Sequence, residues 1–522
     1  MGLFLVACSP YCLQNYKIIW KFVIYSVLLR LKIVYMGKTQ DQDYRHILKY
    51  TGIFGGVQGL QLVLGLLRTK LMAILLAPSG MGLASLFQST SQFLSQATNL
   101  GVSMSAVRQL SEDYETADQA LLESSIQTVR GWSLLTALLG LLVALVLGPV
   151  LSQTTFDWGN HSLHFVLLGP AVAMIALTGG ETAILKATRQ LGSLAFIQLI
   201  CAVLALVISI PIYYIYGETG IVPVINLMAF ATLLLTARHS LKLYPVRWGS
   251  LSLHKGSGML RLGVAFTLAG VVGSGAEMFI RSFLNVADSL DVVGLYNAGY
   301  MITITYAGLV FAAMESDYFP RLSAVNQDVA ATNLMVNKQT EVSILMMAPL
   351  LTSLIIFLPV LIPLLPSSQF LPIVAMTQVA ALAMYFKALT LPVAYITLAR
   401  GYSFTYLVLE SSYYVALVVF VVLGYRHWGI WGTGLAITLA HLAECLIING
   451  YARWRYQYKQ SSTVVKYGAV HLLIGLSAYI LTMTVDEVAY WLLGVVLIVV
   501  SLSFTLWVLN QKRKSSSTST RL

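Results

Sequence analysis

Two cations lie deep in an apolar stretch near the start of the chain. Arg68 and Lys70 belong to the segment from Tyr50 to Ala77, which is otherwise apolar enough and long enough to cross a bilayer. A charge at the centre of a spanning helix costs about 2.5–3.5 kcal/mol, so such cations face water, a counter-charge or an anionic ligand. Residues two apart on a helix point about 200° apart, so both cannot face one cavity. We interpret Arg68 as the ligand contact and Lys70 as a packing or interfacial residue.

Polar side chains form a stripe on a second apolar segment, and a later segment carries a related set. The stripe residues are spaced by four, three and four positions, which places them on one helix face. Hydrogen bonding between packed helices is one interpretation. We favour the wall of a wetted cavity that contacts sugars, because the amides and hydroxyls exceed what packing needs. The predicted glycan-facing residues are Gln88, Gln92, Ser95, Asn99, Tyr296, Asn297 and Tyr300.

Carboxylates inside apolar segments are candidates for ion coupling. Glu181, Glu277 and Asp317 are the three that we select. Buried carboxylates can hold a proton or pair with a cation, and a purely structural counter-ion is an equally weighted alternative for each. Glu277 lies four residues before Arg281, so an ion pair within one helix turn is a specific form of that alternative.

Composition places the chain among polytopic membrane proteins. Of its 522 residues, 57% are hydrophobic and only 10% are charged, against about 25% charged in soluble domains. The apolar runs are continuous, which predicts helices and not barrel strands. The net charge of +11 is explained by basic loops, so no nucleic-acid partner is predicted. No catalytic motif, metal-binding spacing or cofactor motif is present, so we predict that the protein is not an enzyme.

Fourteen candidate spans follow one another along the chain. They lie at roughly 48–77, 82–110, 131–153, 162–187, 191–216, 219–241, 259–286, 292–318, 341–365, 371–398, 403–424, 428–451, 466–484 and 488–510. Links after odd-numbered spans are short and hold only Arg281 and Arg426 among basic residues, whereas links after even-numbered spans are rich in Lys and Arg. This bias predicts that both termini and the basic loops are cytoplasmic.

Short sequence matches recur at a separation of about 210 residues. Gly82 to Phe87 (GLASLF) opens the second span as Gly294 to Tyr300 (GLYNAGY) opens the eighth. Leu185 to Arg189 closes the fourth span as Thr397 to Arg400 closes the tenth. The predicted fold is therefore an all-α polytopic membrane protein of about 14 transmembrane helices, with two pseudo-symmetric six-helix lobes plus two C-terminal helices.

The predicted domains follow from this repeat. Residues 37–250 form an N-lobe, 251–456 a C-lobe, and 457–522 two further helices and a basic tail. Residues 1–36 form an N-terminal extension that we interpret as upstream of a biological start at Met36, with a surface helix as the alternative.

The repeat also relates two of the intramembrane cations. Leu66 to Met72 and Met278 to Leu284 occupy equivalent places when one residue of slippage is allowed. Arg68 and Arg281 are then predicted to face each other across the lobe interface, where two guanidinium groups suit a diphosphate. Lys387, in the tenth span, is a third candidate for the same cationic site.

Five segments carry a family resemblance: Arg68–Phe87 (RTKLMAILLAPSGMGLASLF), Ile184–Leu191 (ILKATRQL), Gly217–Val224 (GETGIVPV), Tyr318–Ser323 and Ala383–Arg400 (AMYFKALTLPVAYITLAR). The chain resembles the Wzx-type flippases of the O-antigen and enterobacterial common antigen group, in the multidrug/oligosaccharidyl-lipid/polysaccharide exporter superfamily. The resemblance implies two lobes around a cationic cavity. It also implies transport of an undecaprenyl-diphosphate-linked oligosaccharide to the outer leaflet of the bacterial inner membrane.

From this resemblance we expect alternating access driven by a coupling ion. The expected partners are the lipid-linked oligosaccharide, membrane lipids and a glycan polymerase. Two alternatives remain open. A multidrug/cation antiporter of the same superfamily needs a net acidic cavity, which the deep cations disfavour. A membrane glycan polymerase or ligase needs a substantial outer loop, which the predicted topology lacks.

Overall fold

The computed structural model describes the backbone of residues 42–116, 118–155, 162–246, 257–305, 307–308, 311, 318–319, 321–323, 325–364, 367–484 and 486–519. Secondary structure in these ranges is helical throughout, as predicted for an all-α protein. Two compact units are distinguished. Met1–Gln58 contains the beginning of the first helix, and Gly59–Leu522 contains the remaining helices. The predicted extension 1–36 and the candidate coupling residue Asp317 lie outside the described residues.

Fourteen α-helical elements make up the described chain, and short 3₁₀ or π turns join some of them. They are α1 (Gln42–Thr98), α2 (Val102–Glu115), α3 (Gln119–Thr155), α4 (Ser162–Leu167), α5 (Gly169–Ala187), α6 (Leu191–Tyr216), α7 (Ile221–Leu243), α8 (Ser257–Ala287), α9 (Leu290–Tyr300), α10 (Val329–Leu364), α11 (Val374–Ala399), α12 (Ser403–Tyr456), α13 (Ser462–Thr484) and α14 (Glu487–Ser519).

Nine of the described helical segments are long and apolar enough to cross a membrane, which confirms a polytopic membrane fold. The two longest, Gly192–Leu243 and Phe404–Tyr456, contain 52 and 53 residues. A straight helix of that length measures roughly 80 Å, whereas a bilayer core is about 30 Å thick. Each of these segments must therefore turn back and hold two of the predicted spans. The exact total of fourteen spans stays a prediction.

Single residues with positive φ produce these turns. Gly217 and Gly429 have φ of 56° and 57°, a region that favours glycine. A Cβ built on Gly424 would lie 3.0 Å from the carbonyl carbon of Gly432. Residues eight apart in a straight helix are about 12 Å apart, so this contact shows that α12 folds back on itself. In α1, Ala77 (φ 54°) breaks the helix in the same way before Pro78.

In each half of the chain, a hydrogen bond joins the link between the first and second spans to the link between the fifth and sixth spans. In the first half, the Ser79 hydroxyl donates a hydrogen bond to Glu218 Oε1 at 3.0 Å. In the second half, the Tyr425 hydroxyl donates to Asp288 Oδ2 at 2.7 Å. The links joined in this way follow odd-numbered spans, and we call this side of the protein the hairpin end. The side where α11 and α12 terminate, with the basic links, is the basic end.

The structure supports the predicted internal repeat with one constant register. The number of residues between Gly217 and Gly429 is the same as that between Gly82 and Gly294. The two halves are therefore pseudo-symmetric. The exact boundaries of the two lobes, 37–250 and 251–456, stay predictions.

The last two helices pack onto the second half of the chain. Both α13 and α14 lie against α10, and α13 also contacts α11. The Tyr490 hydroxyl donates to the carbonyl of Ile356 at 2.6 Å. His471 is fully buried, with its ring nitrogens 3.3 and 3.4 Å from the hydroxyls of Ser501 and Thr505. These polar contacts fix α13 and α14 to the C-terminal half.

Candidate functional site

The polar stripe of α1 divides into side chains that are satisfied inside the helix and side chains that are open. Ser91 and Thr98 donate to backbone carbonyls of their own helix. Gln88 and Gln92 are exposed, although they lie in an apolar spanning helix. An amide exposed to hydrocarbon is costly, so these two side chains are suited to a water-filled space and not to lipid.

Ser95 and Asn99, the other two residues of the predicted stripe, are less exposed. Ser95 is buried, and Asn99 is half-buried with its amide donating to the Ser103 hydroxyl at 3.1 Å. Gln96 packs against the neighbouring α8, because a Cβ built on Gly270 would lie 2.9 Å from its side-chain oxygen. The stripe thus borders α8 at one end and is open at Gln88 and Gln92.

Arg68 is a half-buried cation in the first span of α1. Its guanidinium interacts with the hydroxyl of Tyr213, a buried residue of α6. The Nε atom of Arg68 is buried and has no hydrogen-bond partner in the described part of the chain. No carboxylate of that part lies within ion-pair distance of Arg68. In the described part of the chain, the guanidinium is therefore in contact with a neutral phenol and not with a carboxylate.

Arg281, in α8, is the opposite case. Its Nη1 lies 3.2 Å from Glu277 Oε2, and its Nη2 donates to the side-chain oxygen of Asn297 at 3.1 Å. Its guanidinium carbon lies 6.0 Å from the centre of the Tyr300 ring. Arg281 is thus buried and already neutralised, in the i,i+4 ion pair that was the structural alternative for Glu277.

No contact in the described chain joins Arg68 to Arg281, so the predicted facing pair is not brought together here. The register of the repeat explains the difference. The separation that relates Gly82 to Gly294 relates Arg68 to the buried Ile280, and it relates Thr69 to Arg281. One residue of slippage turns a side chain by about 100° around the helix.

The predicted glycan-facing residues of α9 are enclosed in this conformation. Tyr296, Asn297 and Tyr300 are all buried. The two tyrosine rings pack on each other at 5.8 Å, and the Asn297 oxygen is taken up by Arg281. As glycan contacts these three residues stay predictions, and an open form of the cavity is needed to expose them.

Lys387 lies beside a buried cluster of ionisable side chains. His441 Nδ1 is 2.7 Å from Glu444 Oε2, and both residues are almost fully buried in α12. The Lys387 amine lies 6.0 Å from the centre of the Tyr413 ring and interacts electrostatically with His441 and Glu444. The Tyr413 ring stacks on His441 at 4.6 Å. Lys387 therefore has a carboxylate nearby, unlike Arg68.

Glu181 is occupied by a cation that joins three helices. Arg130 Nε lies 2.9 Å from one oxygen of Glu181, and Arg130 Nη2 lies 3.2 Å from the other. The same guanidinium donates to the carbonyl of Tyr244 and to the Ser240 hydroxyl. Both charges are nearly buried. This is the arrangement of a structural counter-ion, and a coupling role of Glu181 stays a prediction.

A family model described as polysaccharide biosynthesis protein matches residues 71–375, which is more than half of the chain. The protein belongs to this family. No curated protein sequence matches it. The resemblance to polysaccharide exporters that the sequence indicated is thus confirmed at the level of the family.

Several solved structures share the fold of this family member. Lipid II flippase MurJ in an inward closed conformation has a TM-score of 0.69, with 13% identity over 88% of this chain and 99% of that chain. An inward-facing multidrug resistance transporter of the MATE family has a TM-score of 0.64, with 15% identity over 76% of this chain and 94% of that chain. A transporter from Pyrococcus furiosus, noted for a binding pocket of reverse polarity, has a TM-score of 0.56, with 14% identity over 77% and 94%.

These likenesses show that this member of the polysaccharide biosynthesis family shares the fold of these proteins, two of which are described as members of the MOP superfamily. All three neighbours are named as transporters or flippases. In the described residues no three His, Cys, Asp or Glu side chains converge as a metal site would require.

Sequence reasoning missed four of the residues that define the sites of this family member: Arg130, Tyr213, Tyr413 and His441. Arg130 immediately precedes the predicted span 131–153, whereas in the structure it lies within α3 and reaches a buried carboxylate. His441 and Glu444 are three residues apart in an apolar span, a spacing that places them on one face and was a usable signal. Tyr213 carries no such signal, because only the packing of α6 against α1 places it at Arg68.

Proposed function

We propose that the protein carries an anionic lipid-linked oligosaccharide from the inner to the outer leaflet of a bacterial inner membrane. The cargo would be an undecaprenyl-diphosphate-linked glycan of the kind used for O-antigen, lipopolysaccharide or related surface polysaccharides. Membership of the polysaccharide biosynthesis family and the MOP fold support this class of activity. The mechanism we propose is alternating access, in which the hairpin end and the basic end open in turn.

One observation carries the proposal, the uncompensated charge of Arg68. Arg130 and Arg281 each have a carboxylate within about hydrogen-bond distance, so the protein supplies partners where a cation is structural. Among the described residues, Arg68 contacts the hydroxyl of Tyr213 and no carboxylate. Its buried Nε has no hydrogen-bond partner there, a feature that Arg281 Nε shares, so the missing carboxylate is what distinguishes Arg68. A guanidinium in a spanning helix with no carboxylate suits an anionic cargo, because it binds phosphate oxygens in a bidentate way.

We place the glycan against the open part of the α1 stripe. Gln88 and Gln92 present exposed amides on the same helix as Arg68, beyond the break at Ala77. The lipid tail would stay in the bilayer. Arg281 and Lys387 join this site in our proposal only when the cargo displaces the nearby carboxylate, since each has one in this conformation.

The proposed orientation places both termini and the basic end in the cytoplasm. The distribution of Lys and Arg between links supports it, because basic residues concentrate on the cytoplasmic side of membrane proteins. The hairpin end would then face the periplasm. Cargo made in the cytoplasm would enter from the basic end and leave at the hairpin end.

For ion coupling we propose a proton held by His441 and Glu444. Glu181 and Glu277 are each paired with an arginine, whereas His441 and Glu444 share a short hydrogen bond in a buried setting beside Lys387. In proteoliposomes, a pH gradient should drive cargo movement by the natural protein but not by Glu444→Gln. His427→Gln, at an exposed histidine of the same helix, is the control. Transport that follows a sodium gradient alone would contradict the proton proposal.

The test of the cargo proposal is removal of the Arg68 charge. Arg68→Ala and Arg68→Gln, expressed in a strain lacking its own flippase, should reduce surface glycan at least tenfold, while Arg68→Lys should retain part of the activity. Arg108→Ala is a matched control, because Arg108 is exposed and forms only an i,i+4 pair with Glu112. Membrane levels of each variant are measured in parallel. Undiminished glycan export by Arg68→Ala at normal membrane levels would refute the role of Arg68.

A multidrug/cation antiporter is the alternative of the same fold. It is less consistent with this chain, because a cationic drug would meet Arg68, whose charge no carboxylate compensates among the described residues. Protection of cells against cationic dyes by the natural protein, lost in Arg68→Ala, would favour the antiporter instead.

A further inference from the structure

At the basic end, the beginning and the end of α12 come together around two tyrosines. Tyr402 immediately precedes α12 and Tyr456 is its last residue. Their rings stack with centres 6.2 Å apart and planes 16° apart. The turn that brings Tyr402 here passes through Gly401, whose φ is 78°. The α12 hairpin thus returns the chain to the same point on the basic end.

Two arginines extend this ring pair into a layered arrangement. The guanidinium of Arg400 lies 4.9 Å from the centre of the Tyr456 ring, and that of Arg455 lies 6.0 Å from the centre of the Tyr402 ring. We call Arg400, Tyr402, Arg455 and Tyr456 the Arg–Tyr platform. Stacking on an aromatic face orients a guanidinium and leaves its N–H edges free to donate.

Among the described residues, no carboxylate forms an ion pair with Arg400 or Arg455. Glu410 and Glu444 are the only acidic residues between positions 345 and 485, and both lie inside the predicted spans of α12. The Nε atom of Arg400 is buried and has no hydrogen-bond partner among the described residues. Arg453 and Lys459 are exposed close by in the sequence and add two further positive charges. A buried guanidinium N–H without an acceptor indicates a place for an external one.

Exposed aromatic residues place the platform at the level of lipid headgroups. Trp454 is 78% exposed and Phe404 is 69% exposed, and both flank the platform in sequence. Large aromatic side chains at the ends of spanning helices are typical of the membrane interface. A protein partner in the cytoplasm would have to contact these rings at membrane depth, whereas a lipid already lies there.

We propose that the Arg–Tyr platform is a binding site for the phosphate headgroup of an anionic phospholipid of the inner leaflet. Arg400 and Arg455 donate to the phosphate oxygens, and Phe404 and Trp454 lie beside the acyl chains. The site is separate from Arg68 and its proposed cargo. Phosphatidylglycerol or cardiolipin provides the required charge, and a zwitterionic phosphatidylcholine does not.

The test compares lipids and variants of the full chain. Purified protein is titrated with phosphatidylglycerol, cardiolipin or phosphatidylcholine, and bound lipid is counted by native mass spectrometry. The natural protein should retain at least one anionic lipid and should prefer it to phosphatidylcholine. Arg400→Gln/Arg455→Gln should weaken that binding by roughly tenfold or more, because it removes two charge-assisted donors. The control Arg108→Gln/Lys242→Gln removes the same charge elsewhere and should leave binding within about twofold.

Single changes keep the test decisive if the double variant does not fold. Arg455 is exposed, so Arg455→Gln alone leaves the core intact and should still weaken binding several-fold. Arg455→Lys keeps the charge but loses the planar stack, and it should bind with intermediate affinity. Equal retention of anionic lipid by Arg455→Gln, or equal binding of phosphatidylcholine, would overturn the proposal.

A separate arm distinguishes this site from the proposed cargo site. Undecaprenyl diphosphate and inorganic phosphate are titrated against the platform variants and against Arg68→Ala. Loss of undecaprenyl diphosphate binding in Arg400→Gln/Arg455→Gln, with phospholipid binding unchanged, would show that the platform receives cargo and would overturn the phospholipid assignment. Loss in Arg68→Ala alone leaves the two sites independent, as proposed.

Discussion

Gly82 and Gly294 lie against each other, backbone to backbone, where α1 meets α9. A Cβ built on Gly82 would lie 2.9 Å from the amide nitrogen of Gly294 and would overlap with the carbonyl oxygen of Leu290. A Cβ built on Gly294 would lie 3.0 Å from the amide nitrogen of Gly82. These glycines open the two matching sequence motifs of the repeat. The two halves therefore meet at the hairpin end through their backbones, and a side chain at either position must push them apart.

The first prediction concerns this contact. Gly82→Val should separate α1 from α9 and shift the protein towards a form that is open at the hairpin end. A cysteine at Gln88, probed from outside the cell with a membrane-impermeant maleimide, should label faster in that background. Gly65→Val is the control, because nothing lies within 4 Å of a Cβ built there. Identical labelling rates in the two backgrounds would show that the glycine contact does not close this end.

The second prediction concerns the buried pair of Arg130 and Glu181. Glu181→Gln leaves a buried guanidinium without its counter-charge, which should cost about 3–5 kcal/mol of stability. The expected result is a lower unfolding temperature and less protein in the membrane. Replacing both residues, as Arg130→Met/Glu181→Leu, removes the uncompensated charge and should restore much of the lost stability. If the double variant is as stable as the natural protein yet cannot use the coupling ion, Glu181 has the coupling role that the sequence predicted.

Tyr213 gives a third prediction, because it is the described contact of Arg68. Tyr213→Phe removes only the hydroxyl, so Arg68 keeps its charge but loses its hydrogen-bond partner. Surface glycan in the flippase-deficient strain should fall several-fold, and less than in Arg68→Ala. Tyr214→Phe is a matched control, since Tyr214 is the next residue and is 78% exposed. A loss that equals that of Arg68→Ala would mean that Tyr213 itself contacts the cargo.

The turn at Gly429 gives a fourth prediction. Its φ of 57° and ψ of −143° belong to a region that is open essentially to glycine. Gly429→Ala should therefore destabilise the protein by about 1–3 kcal/mol. Gly450→Ala serves as control, because Gly450 lies in the regular part of α12 with open space around it. Thermal unfolding in detergent measures both, and equal stability would show that the turn tolerates a side chain.

Much of the fold was determined by the sequence itself. Long apolar runs can only be membrane helices, because every backbone polar group in the bilayer core must be paired within its own segment. Glycine positions helped to reveal the repeat, since the close backbone contact of Gly82 with Gly294 excludes a Cβ at either residue. The sequence likewise predicted the basic links and the position of Arg68 within a membrane span.

Only the tertiary structure decided which charges are neutralised. The partner of Glu181 is Arg130, which lies in another helix, so no spacing in the sequence predicts that pair. The predicted partnership of Arg68 with Arg281 depended on a register allowed to slip by one residue. On a helix that slip is a rotation of about 100°, enough to move a side chain from one neighbour to another. The i,i+4 spacing already allowed Arg281 to pair with Glu277. Packing gave Arg281 its second partner, Asn297, and left Arg68 with the hydroxyl of Tyr213.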